Sequence, residues 1–177
     1  MIVFAAMEIS DSARDLCETL QNALRMQTAG SFPRRENLHV TLAYIGETDE
    51  TKLERIKEVL DAHPAPRDRF LLSRLCAFEG KKGDQVVLLA NVSEQFLQYR
   101  ADLMEQFHQA GIEVDPKPYR PHVTLVRAKR RSIDLNRIHF TPVVSGVDRV
   151  VLYQSFEEFG KRVYKPLYVK ETAGEIV

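Results

Sequence analysis

Two histidine–threonine pairs carry the chemistry that this sequence offers. His39 and Thr41 stand in His-Val-Thr-Leu at 39–42, and His122 and Thr124 stand in the same four residues at 122–125. Both tetrads lie in runs that read as buried strands, Leu38 to Ile45 and His122 to Val126. Residues two apart share one face of a strand. Each histidine therefore points the same way as its threonine, while Val40, Leu42, Val123 and Leu125 point into a core. A core has no use for unpaired imidazoles and hydroxyls, because burying them without partners costs free energy. Histidine titrates near neutrality, at about pH 6.5 when unperturbed. Two facing imidazoles suit paired acid–base work, one accepting a proton and the other donating one, each contributing about 10²–10⁴-fold. Two threonine hydroxyls beside them are placed to hold phosphoryl oxygens between the rings. The chemistry that fits is in-line displacement at phosphorus without a metal: one histidine activates water and the other protonates the departing oxygen.

Two histidines are also half of a zinc site, but a catalytic zinc takes a third protein ligand. Neither strand supplies one two or four residues on, where Thr41, Ala43, Thr124 and Val126 stand, and Glu36, the nearest carboxylate, sits in a loop. The metal reading ranks below metal-free acid–base chemistry, and no cofactor is expected. His63, beside Pro64, His108, after Phe107, and His139, at a strand start, read as structural or surface residues. The sequence has no Gly-x-x-x-x-Gly-Lys-Ser/Thr, no Gly-x-Gly-x-x-Gly after a strand and no Gly-x-Ser-x-Gly.

The elements that must position the pairs repeat with them. Sliding the chain against itself by 83 residues lays Ala5–Ser10 over Leu88–Ser93, Leu20 over Leu103, Leu24 over Phe107 and His39 over His122 without a gap. Each copy reads as apolar strand, serine cap, amphipathic helix, loop and His/Thr strand, the mark of an internal duplication. In the first copy, Ser10 caps a helix with Ala13, Leu16, Cys17, Leu20 and Leu24 at helical spacing. Gln27–Glu36 reads as a loop, and Thr48 or Asp49 caps a second helix carrying Leu53, Ile56, Val59 and Leu60. Phe70–Phe78 and Gln85–Val92 read as a hairpin, and Ser93 caps a third helix that ends before Gly111. Ala128–Leu135 is a basic loop, followed by strands at Ile138–Val144, Val147–Phe156 and Arg162–Lys170. This order predicts an α+β fold: one domain over 1–177 built of two pseudo-symmetric lobes, two mostly antiparallel sheets with helices outside, and a central cleft carrying both tetrads.

Length and composition permit this. The chain has 177 residues, 44% hydrophobic and 28% charged, with zero net charge, so any affinity for a polyanion must come from local patches. The apolar opening reaches Glu8 too soon for a signal peptide, and no run is long enough to span a membrane. Cys17 and Cys76 both fall at apolar positions and read as buried thiols in a cytoplasmic protein. A monomer is expected.

Basic residues flank both pairs. Arg34 and Arg35 precede the first, Arg120 precedes the second, and Arg127-Ala-Lys-Arg-Arg131 follows it. A phosphate-rich substrate wants charge there, Lys129, Arg130 and Arg131 included. Phe32, Tyr44 and Tyr119 are candidates for stacking on a base.

With two H-x-T-x tetrads about eighty residues apart in a duplicated chain of this size, the sequence resembles the 2H phosphoesterase superfamily. Glu36-Asn-Leu-His-Val-Thr-Leu42, Arg120-Pro-His-Val-Thr-Leu-Val-Arg127 and Leu152-Tyr-Gln-Ser155, followed by Gly160 and Tyr164, are similar to its RNA 2′,3′-cyclic phosphodiesterases, also called 2′-5′ RNA ligase-like proteins. The resemblance implies a bilobal fold with the tetrads lining the cleft, and metal-independent hydrolysis of RNA 2′,3′-cyclic phosphate ends, or of cyclic nucleotides, to a 2′-phosphate. It implies His39 as the proton donor to the leaving 3′ oxygen, His122 as the base that activates water, Thr41 and Thr124 as phosphate holders, and Arg127 as a further substrate-binding residue. Strand parity alone puts Arg127 on the face opposite His122, so that role requires a bulge or the strand's end nearby. Arg34-Arg35 depart from the family pattern, which bears on substrate preference rather than chemistry. The alternatives are an RNA 2′–5′ end-joining enzyme running the same chemistry backward, and a non-enzymatic module that binds nucleotides or RNA ends.

Overall fold

A computed structural model of the chain describes residues 1–81, 83–129 and 133–174. In chain order its elements are β1 (Ile2–Glu8), α1 (Asp11–Arg25), β2 (Gly30–Ser31), β3 (His39–Glu47), α2 (Glu50–Ala62), β4 (Asp68–Phe78), β5 (Gln85–Asn91), α3 (Glu94–Gln109), β6 (His122–Ala128), β7 (Val143–Val147), β8 (Arg149–Glu158) and β9 (Lys161–Glu171). The caps are local chemistry. Ser10 accepts from the Ala13 N–H at 3.2 Å and Ser93 from the Phe96 N–H at 3.1 Å, which satisfies donors that the first helical turn leaves without partners. Of the two candidates before α2, Asp49 is the cap, accepting from Lys52 N–H at 2.7 Å, while the Thr48 hydroxyl donates to Gly46 O.

The 83-residue offset holds element by element: β5, α3 and β6 begin 83 residues after β1, α1 and β3. The strands run in the order β7-β4-β5-β6-β3-β1-β8-β9, with β2 added alongside β6, and the ladders are antiparallel. The two sheets expected from the sequence are thus continuous, joined between β6 and β3 through Val40 and Val123 alone. The strand expected at Ile138–Val144 lies instead at Val143–Val147, after a short 3₁₀ turn at Leu135–Arg137. Pro142 has no N–H to give a ladder, so pairing with β4 starts just beyond it.

All three helices pack on one face of the sheet. Ala13, Cys17, Leu20 and Leu24 of α1, Leu53, Ile56 and Leu60 of α2, and Phe96, Leu103 and Phe107 of α3 form one core with Val40, Leu42, Val123 and Leu125. Phe96 and Phe107 are at most 1% exposed, and truncating either to alanine would cost about 3–5 kcal/mol. Cys17 is buried, which pushes its thiol up to about 12, whereas Cys76 is only half-buried, contrary to the sequence reading, and the two are unpaired. Among the described residues no helix is long and apolar enough to cross a membrane. The other face of the sheet carries a small cluster of Phe4, Ala6, Val151 and Tyr153, with Tyr164 against it. This helix-free side is the open face.

Candidate active site on the open face of the sheet

The single junction between the halves places the four tetrad residues together. Val40 and Val123, the residue between histidine and threonine in each tetrad, are the pair that joins β3 to β6, so all four polar residues flank that one junction. All four are half-buried and lie away from the core-facing valines. The histidines are close enough for the charge of His122 to register on His39.

Both rings are held in one tautomer by the backbone. His39 Nδ1 is 2.7 Å from Asn37 O, and His122 Nδ1 is 2.6 Å from Arg120 O. A carbonyl only accepts, so each Nδ1 carries a hydrogen and each Nε2 is the atom that exchanges a proton. His39 Nε2 lies 3.0 Å from Thr41 Oγ1. The Gln85 side-chain amide donates to Thr124 Oγ1, which directs that hydroxyl's own hydrogen to a different acceptor. Ring packing fixes the imidazoles further. Phe4 lies 5.1 Å from His39 and Tyr164 meets it edge-on at 5.4 Å, while Phe78 meets His122 edge-on at 5.0 Å beneath the Arg120 guanidinium. Asn37 is 7% exposed and its side chain donates to Arg162 O of β9, so the loop that orients His39 is pinned to the sheet.

Burial favours the uncharged form of both histidines. It is the main reason that His39 is lowered to about 4; the charges of His122, Arg127 and Arg14 add to it, against the opposing hydrogen bond to Asn37. His122 is lowered too, again chiefly by burial, with Arg120 and Arg127 contributing. The free protein therefore holds two neutral imidazoles at pH 7.

Arg127 influences both histidines because β6 is bulged. Val87 pairs with Thr124 and Val86 with Val126, so Leu125 is left out of the register. β3 has the same defect: Ala6 pairs with Thr41 and Ala5 with Ala43, leaving Leu42 out. One extra residue reverses the facing of everything beyond it. From His39 and from His122 the burial along the two strands is accordingly identical, with consecutive buried residues at 42–43 and 125–126. The bulge, one of the two arrangements that the sequence reading allowed, returns Arg127, exposed, to the face of His122 and Thr124. At the equivalent place in β3 it returns Tyr44, 48% exposed and paired across the ladder with Phe4.

The other flanking residues divide. Arg35 is occupied by α1, donating to Asp15 at 2.7 Å and to Glu18, and Arg34 pairs with Glu36 at 3.0 Å and donates to Arg162 O. Tyr119 is a strut rather than a platform: its hydroxyl donates to Thr41 O at 3.0 Å and Arg100 covers its ring. Phe32 lies under Arg25. Of the three stacking candidates, only Tyr44 stands exposed beside the tetrads. Lys129 is exposed; Arg130 and Arg131 lie outside the described residues. His63 caps α2 through Val59 O. Among the described residues no three His, Cys, Asp or Glu side chains converge as a metal-holding group. A cleft of about 450 Å³ beside α3, lined by Arg100, Met104, His108 and residues 112–117, contains none of the tetrad residues.

In the sequence Gly30 reads only as a loop glycine, Asn37 only as part of the run before the first tetrad and Gln85 only as a strand start, none with a role at the site. Gly30 in β2 passes so close to β6 that a Cβ there would lie 2.3 Å from Arg127 O and 3.0 Å from Ala128 Cα, both backbone atoms. Gly30→Ala is therefore expected to cost about 1–3 kcal/mol, the usual range for overpacking. Thermal unfolding would register that cost. Activity measured well below the transition should fall further than the unfolded fraction explains, because the displaced strand carries Arg127.

Comparison with known proteins places this arrangement. The model of the 2′-5′ RNA ligase superfamily matches residues 8–155. The RNA 2′,3′-cyclic phosphodiesterase of Thermotoga maritima is 24% identical over 185 aligned positions, covering 100% of this chain and 98% of its own. That of Methanothermobacter thermautotrophicus is 30% identical over 130, covering 71% and 70%. The crystal structure of E. coli LigT complexed with 3′-AMP superposes with a TM-score of 0.81 at 20% identity, covering 98% of both chains.

Proposed function

Because the chain belongs to the 2′-5′ RNA ligase superfamily, we propose that it is a phosphodiesterase that opens RNA 2′,3′-cyclic phosphate ends to 2′-phosphates. The activity carried by the names of its relatives supports this. The observation that carries the reading is the meeting of two His/Thr pairs across Val40 and Val123, each imidazole tied through Nδ1 to a backbone carbonyl.

In this reading the cyclic phosphate sits between the imidazoles, its oxygens held by Thr41, Thr124 and Arg127. Neutral His122 takes a proton from water through Nε2 as the water oxygen bonds to phosphorus. The bond from phosphorus to the 3′ oxygen breaks opposite, and His39 gives that oxygen its proton. The product is a 2′-phosphate with a 3′ hydroxyl, and solvent restores the two protonation states. His39 must be charged for this, although the free protein holds it neutral. An anionic phosphodiester beside both rings favours the imidazolium form, so the substrate itself raises the acid into its working state.

The chain is read as one domain of two duplicated lobes, each contributing one catalytic pair. Its unpaired cysteines suit a reducing compartment such as the cytoplasm.

The test is hydrolysis of a short RNA ending in a 2′,3′-cyclic phosphate, in excess EDTA, with the product phosphate identified. Conversion to the 2′-phosphate is expected. Conversion to the 3′-phosphate would reverse the assignment of the leaving oxygen. Activity lost in EDTA and restored by zinc would replace the acid–base mechanism with a metal one. Binding without turnover would leave a recognition module.

A further inference from the structure

The bulges that aim Arg127 and Tyr44 are held from the helix side. A bulge leaves one residue out of the ladder, and here the carbonyls of both bulged leucines are taken by side chains. Leu125 O accepts from the Gln21 side-chain amide at 3.1 Å, and Leu42 O accepts from Arg100 Nε at 3.2 Å. Gln21 lies in α1, within the first repeat, and reaches the His/Thr strand of the second. Arg100 lies in α3, within the second repeat, and reaches the His/Thr strand of the first. The exchange is reciprocal.

Neither contact is incidental. Gln21 is 3% exposed on a helix face that otherwise buries Ala13, Cys17, Leu20 and Leu24. Its amide donates also to Pro33 O at 2.9 Å, so one buried side chain joins the loop before β3 to the bulge of β6. A buried polar side chain that cannot reach its acceptors is costly, which ties the strand to this position. Arg100 packs its guanidinium 4.3 Å from the Tyr119 ring, and Tyr119 in turn holds Thr41 O, next to the bulge. Two consecutive carbonyls of β3, within and just after the His/Thr pair, are thereby fixed. β3 and β6 are in register only at Val40 and Val123, so beyond that point the open-face geometry of each strand depends on what grips it from behind.

We propose that Gln21 and Arg100 are positioning residues for the reaction: each locks the bulge of the opposite half, so that Gln21 sets the reach of Arg127 and Arg100 sets the reach of Tyr44. The proposal rests on the phosphodiesterase reading for its kinetic test but not for its structural one.

The experiment is a double-mutant cycle of wild type, Gln21→Met, Arg127→Ala and the double variant, read as kcat/KM on 2′,3′-cyclic AMP. It is paired with the position of the Arg127 Nε–Hε resonance in a ¹⁵N spectrum, identified by its loss in Arg127→Ala. Misplacing a catalytic-site group by about an ångström costs up to about a hundredfold. Gln21→Met is expected to lower kcat/KM about tenfold in the wild-type background and less than about twofold once Arg127 is gone, as acting through a shared partner requires. The Arg127 resonance should shift. Equal losses in both backgrounds, or an unmoved resonance, overturn the proposal. If the wild type hydrolyses neither 2′,3′-cyclic AMP nor a short RNA ending in a 2′,3′-cyclic phosphate, the phosphodiesterase reading falls, and the resonance still decides the positioning role. A second arm does not depend on Gln21→Met folding: Arg100→Met should lose less activity in a Tyr44→Ala background than in the wild-type one, and Arg100→Lys, which keeps a donor for Leu42 O, should restore at least half. Failure of Arg100→Lys to restore, with its melting temperature unchanged, counts against the proposal.

Discussion

His39→Ala and His122→Ala are each expected to lower turnover of a 2′,3′-cyclic phosphate by about 10²–10⁴-fold, the usual contribution of a positioned acid or base. One change in the substrate should tell them apart. With sulfur in place of the 3′ oxygen, the departing group is a thiolate, which is stable near neutrality because a thiol ionises at about pH 8.5. Such a leaving group needs no proton. His39→Ala should then recover most of its lost rate on the sulfur substrate, relative to wild type on that substrate. His122→Ala should not recover, because water still has to be deprotonated on the other side of phosphorus. Each Nδ1 is committed to a carbonyl, which leaves Nε2 as the working atom of both rings, and the sulfur substrate separates the Nε2 that donates from the one that accepts. Recovery of His122→Ala in place of His39→Ala would exchange the two roles. Recovery of neither would end the paired acid–base mechanism.

What the sequence disclosed was whatever is written locally or twice. The tetrads, the 83-residue offset and the serine caps at Ser10 and Ser93 each need only a few neighbouring letters, and the repeat makes one copy evidence for the other. What it hid depends on partners far along the chain. A bulge is defined by the strand opposite, so nothing in His-Val-Thr-Leu-Val-Arg shows that Leu125 drops out of register; parity alone placed Arg127 on the wrong face. Gln85 acts on Thr124, Asn37 on Arg162 and Gln21 on Leu125, separations of 39, 125 and 104 residues. Gln21 did leave a trace, as a polar residue one past Leu20 and four past Cys17 on an otherwise apolar stripe. The charge pattern misled in the other direction. Arg35 beside the first tetrad suggests a phosphate contact, but the carboxylates that occupy it stand on α1, twenty and seventeen residues earlier.

Arg127→Ala should change both the rate and its pH dependence. Arg127 stands exposed on the open face across the ladder from Gln85, where it can donate to a phosphoryl oxygen, and losing such a donor typically costs about 10²–10³-fold in rate. Its charge also acts on the histidines. Burial is the main cause of the lowering of both, and Arg127 adds to it in each case. Removing a nearby positive charge makes protonation easier, so both imidazoles should titrate at higher pH in the variant. The kcat/KM profile reports the free enzyme; with His39 lowered to about 4, its bell should be centred on the acid side of the neutral optimum that two unperturbed histidines would give. The kcat profile reports the complex, in which the anionic substrate raises both groups, and should lie to the alkaline side of the kcat/KM profile. In Arg127→Ala the kcat/KM bell should move toward neutrality. Because the guanidinium is exposed, the movement should shrink as salt is added. A loss of rate with an unmoved profile would make Arg127 a phosphate contact alone. Movement toward acid would contradict the electrostatic coupling between Arg127 and the two histidines.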